Sequence, residues 1–379
     1  MVTLLAATCG IVVANIYYAQ PLVGMIGPDV GLKPRSASLI VSLTQLGYAA
    51  GLLLLVPLGD LVETRRLVIV TIAASIPALL LAGSAHSGLV MLVAAALIGV
   101  TSVAVQMLVP MAAHMAPDHK RGRVVGNVMS GLLLGILLAR PVASMIADFF
   151  GWRAVFYASA VVMMGTIVLL RFTLPPRRAD AKHNYGELLV SLFALPFTVP
   201  VLRQRAAYHA AAFAGFSLFW TGIPLLLARE FHYTQSGIAV FALVGAAGAL
   251  AAPVVGHMAD RGHSVIGTVC ALLAMTGAFL IALAGGWSHS VILLALSGVL
   301  LDAGVQSNLV FGQRAIYTLA PEMRSRLNGM FMAIFFAGGA AGSALTSPVL
   351  VHFGWPGICA LGAVLPLAAL AYFWAASPR

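Results

Sequence analysis

The chain alternates between long apolar runs and short polar breaks. Runs long enough to cross a bilayer fall at about 3–26, 36–58, 67–86, 88–113, 124–148 and 152–174. Six more fall at about 206–227, 236–257, 265–285, 290–317, 326–350 and 355–375. A bilayer core of about 30 Å needs roughly 20 apolar residues in a helix, which these runs supply. The most polar stretch, 175–205, contains Pro175, Pro176, Arg177, Arg178, Asp180, Lys182, Glu187, Arg203 and Arg205. It predicts a linker outside the membrane, with a short surface helix at 185–194. The pattern therefore predicts an all-α polytopic membrane protein of twelve transmembrane helices. An N-terminal six-helix bundle (1–174) and a C-terminal one (206–379) flank the linker.

Distant landmarks repeat. Ala116-Pro117-Asp118 precedes a basic stretch and then Phe150-Gly151-Trp152, whereas Ala320-Pro321-Glu322 precedes another and then Phe353-Gly354-Trp355. Gln106 and Gln306 stand 200 apart, and the loops beginning at Gly59 and Gly256 stand 197 apart. Offsets this similar mark a duplicated six-helix unit, which in a membrane implies two halves around a central path.

Composition agrees. Apolar residues make up 61% of 379 and charged residues 8%, against about 25% charged in a soluble domain. The net charge of +10 forms no dense basic stripe, so nucleic-acid binding is not expected. With the N-terminus inside, 16 of the 21 Lys and Arg fall on the inner side, four on the outer side, and Arg140 within a helix. This asymmetry places both termini in the cytoplasm and suits a bacterial-type inner membrane. The first run lacks a basic leader and continues into Asn15, Tyr17, Tyr18 and Gln20, so it reads as a retained helix rather than a signal peptide. Cys9, Cys270 and Cys359 lie far apart in apolar runs and behave as small core residues. The histidines show no metal-ligand spacing, and there is no phosphate-cradling Gly-x-x-x-x-Gly-Lys loop. No metal, cofactor or catalytic centre is expected; uphill transport would draw on an ion gradient.

These features resemble the major facilitator superfamily over essentially the whole chain. That family carries a Gly-x-Leu-x-Asp-Arg-x-Gly-Arg-Arg type loop after its second helix, repeated weakly in the second half. Gly59, Asp60, Glu63, Arg65 and Arg66 form a shortened first copy, and Gly256, Asp260 and Arg261 belong to the second. The resemblance implies a gating role for both loops. In the fifth run Gly131, Gly135, Arg140 and Pro141 resemble the glycine-rich antiporter motif of drug-efflux members, with Arg140 in a glycine's place. The intramembrane arginine that the family carries in its fourth helix has no counterpart between Ile98 and Gln106.

Two charges stand deep in predicted spans: Arg140, and Asp302 in the tenth run. Each costs roughly 2.5–3.5 kcal/mol at a bilayer centre, so each should face the bundle interior or a wet cavity. A carboxylate there can change protonation as access alternates, which suits Asp302 to proton coupling. Arg140 suits pairing with a carboxylate or holding an anionic or hydroxyl-rich substrate, and an internal structural lock is the alternative for both. The family lines its cavity with helices one, four, seven and ten. That resemblance nominates Asn15, Tyr17, Tyr18, Gln20, Gln106, Phe216, Trp220, Gln306, Asn308 and Gln313, with Gln45, Tyr48 and Asn127 as further candidates. The resulting expectation is a monomeric, proton-coupled efflux transporter of a small organic molecule. A proton-coupled importer is the alternative within transport, and a membrane-embedded enzyme or sensor is the alternative outside it.

Overall fold

A computed structural model describes residues 1–117, 120–176, 184–249, 264–319 and 323–376. Among the described residues every regular element is helical, and a helix satisfies its backbone groups internally where no water is present to bond them. Nine of these helices are long and apolar enough to cross a membrane, from Leu39–Gly59 to Arg326–Ala376. The shortfall from twelve has three local causes. The first run is helical over Val2–Ala14, breaks into turns, and resumes as Gln20–Leu22 and Val23–Asp29. The eighth shows Gln235–Ala242 and Gly245–Ala249 before the described residues stop. The last two are joined in one helix, Arg324–Ala376, across Gly354.

The linker helix runs over Tyr185–Thr198, its start fixed by a reciprocal capping box between Asn184 and Glu187. The seventh helix, Pro200–Arg229, begins six residues before the expected start, because Pro200 suits a first turn whose N–H groups are unpaired anyway. It is the most enclosed span, with 89% of its apolar window buried against 33% for the fifth helix, Arg121–Phe150.

The duplication is visible in backbone contacts. A Cβ at Gly131 would lie 2.3 Å from the Ala6 carbonyl oxygen, and one at Gly135 2.2 Å from that of Gly10. These glycines let helices one and five touch along their backbones. In the second half Gly338 and Gly342 press in the same way on Ala210 and Ala214, joining helices seven and eleven. The turns from helix five to six and from eleven to twelve use Gly151 (φ 81°, ψ 158°) and Gly354 (φ 62°, ψ −162°). Each turn is followed by a buried tryptophan: Trp152 donates to Asp29 and Trp355 to the Ala282 carbonyl, both at 2.9 Å.

The two halves meet along matching seams, helix two against eleven and helix five against eight. Ser38 and Ser347 each donate a backbone N–H to the other's hydroxyl at 3.1 Å. Gln235 donates to Ser144 at 3.3 Å and to the Pro21 carbonyl at 3.0 Å, while Ser236 donates to Asp148. All these contacts lie toward the end of the bundle away from the chain termini.

The turns and the bundle edge can each be tested. Gly151→Ala and Gly354→Ala each put a side chain where essentially only glycine is tolerated, so each should cost about 1–3 kcal/mol in a reversible detergent unfolding titration. At the bundle edge Arg153, then the Trp152 N–H, hold the exposed Asp29 carboxyl below the usual carboxylate range. A depressed folded value contributes stability above the unfolded pKa and loses it as pH falls through the folded one. Asp29→Asn should therefore lower thermal stability at neutral pH, and the deficit should shrink as pH drops below about 4.

Candidate functional site

The break in the first helix carries Tyr17 and Gln20 into the contact between the halves, where both are buried. Opposite them, one turn apart on helix seven, stand Phe216 and Trp220. Arg140 reaches into this group from helix five and is only 4% exposed. Its guanidinium carbon lies 5.1 Å from the Tyr17 ring centre, 5.2 Å from Phe216 and 4.7 Å from Trp220. Three aromatic rings thus supply electron-rich surface to a cation taken out of water, where such contacts gain strength. Its Nε donates to the Gln20 side-chain oxygen at 2.8 Å. Its Nη2 is buried and has no hydrogen-bond partner among the described residues.

The other sequence-predicted charge belongs to the same group. Asp302, on helix ten (Val291–Tyr317) and 7% exposed, accepts 2.7 Å from the Trp220 indole N–H. One indole therefore stacks on the cation and donates to the carboxylate. Helix eight packs against Asp302 through glycines: a Cβ at Gly248 would lie 2.4 Å from the Asp302 Cβ, and one at Gly245 2.8 Å from its Oδ2.

A chain of neutral polar groups continues between the halves. Gln20 donates to Thr221 at 3.2 Å, and Thr221 and Ser343 lie 3.5 Å apart. Ser343 donates to the Gln45 oxygen at 3.4 Å, and Gln45 donates in turn to Ser217 at 3.0 Å. Below this chain the Tyr48 ring packs 4.4 Å from Phe336 of helix eleven, and its hydroxyl accepts from Gln106 at 3.1 Å.

The remaining candidates lie elsewhere. Asn15 accepts 2.6 Å from Ser159 and faces Met163, so it is spent on contact with helix six. Tyr18 is half-buried near Ser159. Asn308 is buried against the His209 ring, Nδ2 to Nδ1 at 3.3 Å. Gln306 is half-buried, Asn127 is exposed on helix five, and Gln313 donates to Asn328 at 3.3 Å at the base of helix eleven. In the first predicted gating loop, Gly59 and Asp60 close the turn Val56–Asp60 and Glu63 precedes helix three. Arg65 donates to the Arg171 carbonyl inside the first half, while Arg66 is exposed. Gly256, Asp260 and Arg261 lie outside the described residues.

Sequence reading missed Ser217, Thr221, Ser343, the glycines behind Asp302, and His209. Small hydroxyls and glycines are ordinary in packed membrane helices and give no signal singly. The apolar pattern puts His209 close to a span end; with the helix starting at Pro200 it sits fully buried, its ring 4.3 Å from Phe335 and 5.1 Å from Phe331.

The arrangement offers a fixed cation, a carboxylate tied to it through an indole, and neutral hydrogen-bonding groups from both halves. Removing the acceptor from Arg140 tests how tightly the group is coupled. Gln20→Leu strands a charged donor and should cost about 1.5–3 kcal/mol in detergent unfolding, with Gln20→Asn restoring part of it.

Known proteins place the chain in a family. The family model described as Major Facilitator Superfamily matches residues 4–304 and again 206–379. The "uncharacterized transporter YgaY" of Escherichia coli O157:H7 is 42% identical over 376 residues, covering 99% of this chain and 95% of that one. The "probable transporter SCO4007" of Streptomyces coelicolor is 34% identical over 367 residues, covering 94% and 83%. Among solved structures, the nucleoside transporter NupG superposes with a TM-score of 0.76 at 15% identity, covering 98% of this chain and 99% of that one. A D-xylose-proton symporter superposes with a TM-score of 0.72 at 17% identity, covering 99% and 97%.

Proposed function

Because this chain belongs to the major facilitator superfamily and is a multi-pass membrane transporter rather than an enzyme, we propose that it moves a small organic solute by alternating access, coupled to protons through Asp302. The observation that carries this reading is the Arg140–Trp220–Asp302 group, which draws its members from both halves. Arg140 comes from the first half, and Trp220 and Asp302 from the second. Rocking of the halves changes the surroundings of a carboxylate and of the cation that stabilises its ionised form, which links proton affinity to conformation. Export is the direction suggested by the glycine-rich fifth helix, and import is the alternative. The proposed setting is a bacterial-type inner membrane, with the chain acting as a monomer and both termini cytoplasmic.

The test uses proteoliposomes holding a pH-sensitive dye, challenged with a panel of aromatic carboxylates, amino acids, sugars and lipophilic amines. At least one solute should evoke proton movement, and Asp302→Asn should reduce it by at least about tenfold while leaving solute binding detectable. Lumenal acidification on external addition indicates co-movement, and alkalinisation indicates exchange. Unchanged proton movement in the Asn variant would remove Asp302 from the coupling.

A further inference from the structure

From the surroundings of Arg140 we infer that the transported solute is an organic anion, a monocarboxylate with a small apolar body, whose carboxylate docks on the guanidinium. This rests on the transport reading above and names the solute class for the same site.

Three observations converge. The guanidinium is buried, and its Nη2 donors meet no acceptor among the described residues, although its Nε is bonded and its faces are stacked. A buried guanidinium nitrogen with free N–H donors matches a carboxylate oxygen, to which it gives a charge-assisted hydrogen bond. Next to it lies a cavity of about 10 Å³ lined by Arg140 and Trp220 together with Pro21, Ile223, Leu227 and Phe241. Apart from Arg140 itself and the Trp220 indole, the residues lining this cavity are apolar, so a sugar's several hydroxyls would find few partners there. A cationic solute would meet the like charge of Arg140 in a site of low polarity, which disfavours it. At this volume the cavity holds no more than about one water, so loading requires helices one, seven and eight to part.

Asp302 is the natural competitor for Arg140, and its placement explains why an anion can still enter. Its Oδ1 is bonded to the Trp220 indole, whose ring stacks on the guanidinium, so the carboxylate leaves the Nη2 edge unoccupied. Asp302 is in contact with Trp220 from helix seven and with Gly245 and Gly248 from helix eight, and Arg140 from helix five and Tyr17 from helix one lie within electrostatic range of it. Arg140 is the cation among them. When Asp302 is protonated, Arg140 loses its nearby counter-charge and gains affinity for a solute carboxylate. Anion and proton then load together, which favours the co-directional alternative.

Three probes of one ring size separate the charge classes: benzoate, benzamide and benzylamine. Binding to the purified full-length chain in micelles is read with radiolabelled probe and by the rise in melting temperature. Benzoate should bind at least about tenfold more tightly than the amide or amine. It should also bind more tightly at about pH 5.5 than at about pH 8, since the lower value favours the protonated form of a buried carboxyl. Arg140→Gln should abolish the preference, and Arg140→Lys, which keeps the charge but not the fork, should retain it with weaker binding. Preference for the amide or amine, no benzoate binding at all, or an unchanged preference in Arg140→Gln overturns the anion assignment. Where Arg140→Gln fails to elute as a folded species, loss of preference in Arg140→Lys overturns it instead. Proton movement evoked only by amines would sink the anion while keeping proton-coupled transport. Arg140-dependent benzoate binding without proton movement would sink the coupling and keep the anion site.

Discussion

A guanidinium buried in a membrane protein must find substitutes for water, and in this chain the substitutes come from two different halves. Tyr17 and Gln20 belong to the first half, while Phe216 and Trp220 belong to the second. Arg140 is therefore a joint between the bundles as much as a residue of either. Its enclosure depends on helix one breaking at Asn15, on helix five holding its course past Pro141, and on helix seven being buried on nearly every side. Losing any of these would leave a charge facing hydrocarbon, a cost on the order of 2.5 kcal/mol or more by the usual scales.

The same arrangement sets what motion can do. Separating the halves at the end away from the termini breaks the reciprocal Ser38–Ser347 pair, the Gln235–Ser144 contact and the Ser236–Asp148 bond, each a hydrogen bond rather than an ion pair. It also strips aromatic rings from Arg140 and exposes the guanidinium to water or to whatever solute enters. The polar chain from Gln20 through Thr221 and Ser343 to Gln45 behaves similarly, since each link can be exchanged for a bond to water. Hydrogen bonds in place of ion pairs suit such a seam, because a buried ion pair is costly to part and costly to leave half-made.

Much of this is legible in the sequence. The length of the apolar runs and the charge asymmetry predict twelve spans, and offsets near 200 predict the duplication. Arg140 and Asp302 stand out because charges in apolar runs are expensive wherever they occur. Contacts across spans are not legible: Asn15 and Gln45 are both amides in apolar helices, yet one faces helix six and the other the opposite half. Rotation of each helix about its axis decides that, and rotation is set by small-residue packing such as Gly135 on Gly10. Helices hydrophobic on all faces carry little amphipathic signal from which to read it. The break in helix one is likewise hidden, because Tyr17 and Tyr18 read equally well as interfacial anchors.

The duplication shows where chemistry can reside. Packing contacts survive in both copies: Gly131 and Gly135 find counterparts in Gly338 and Gly342, 207 residues on, and Ala6 and Gly10 in Ala210 and Ala214, 204 residues on. Applied to the site, the same offsets give a different result. Arg140 maps onto Ser347, which is used in the seam with Ser38, and Trp220 maps back onto the apolar Ile16. With the 200-residue offset of helices four and ten, Asp302 maps back onto Ser102, whose hydroxyl merely returns to the Ile98 carbonyl at 2.6 Å. Each charged or indole-bearing member is thus present in one copy only. A symmetric bundle with Arg140 in both halves would place two cations at the joint, and one with Asp302 in both would place two carboxylates. Divergence between the copies is what allows one cation and one carboxylate to share a single indole. The common scaffold supplies two bodies that fit together, and the differences between them supply the candidate site.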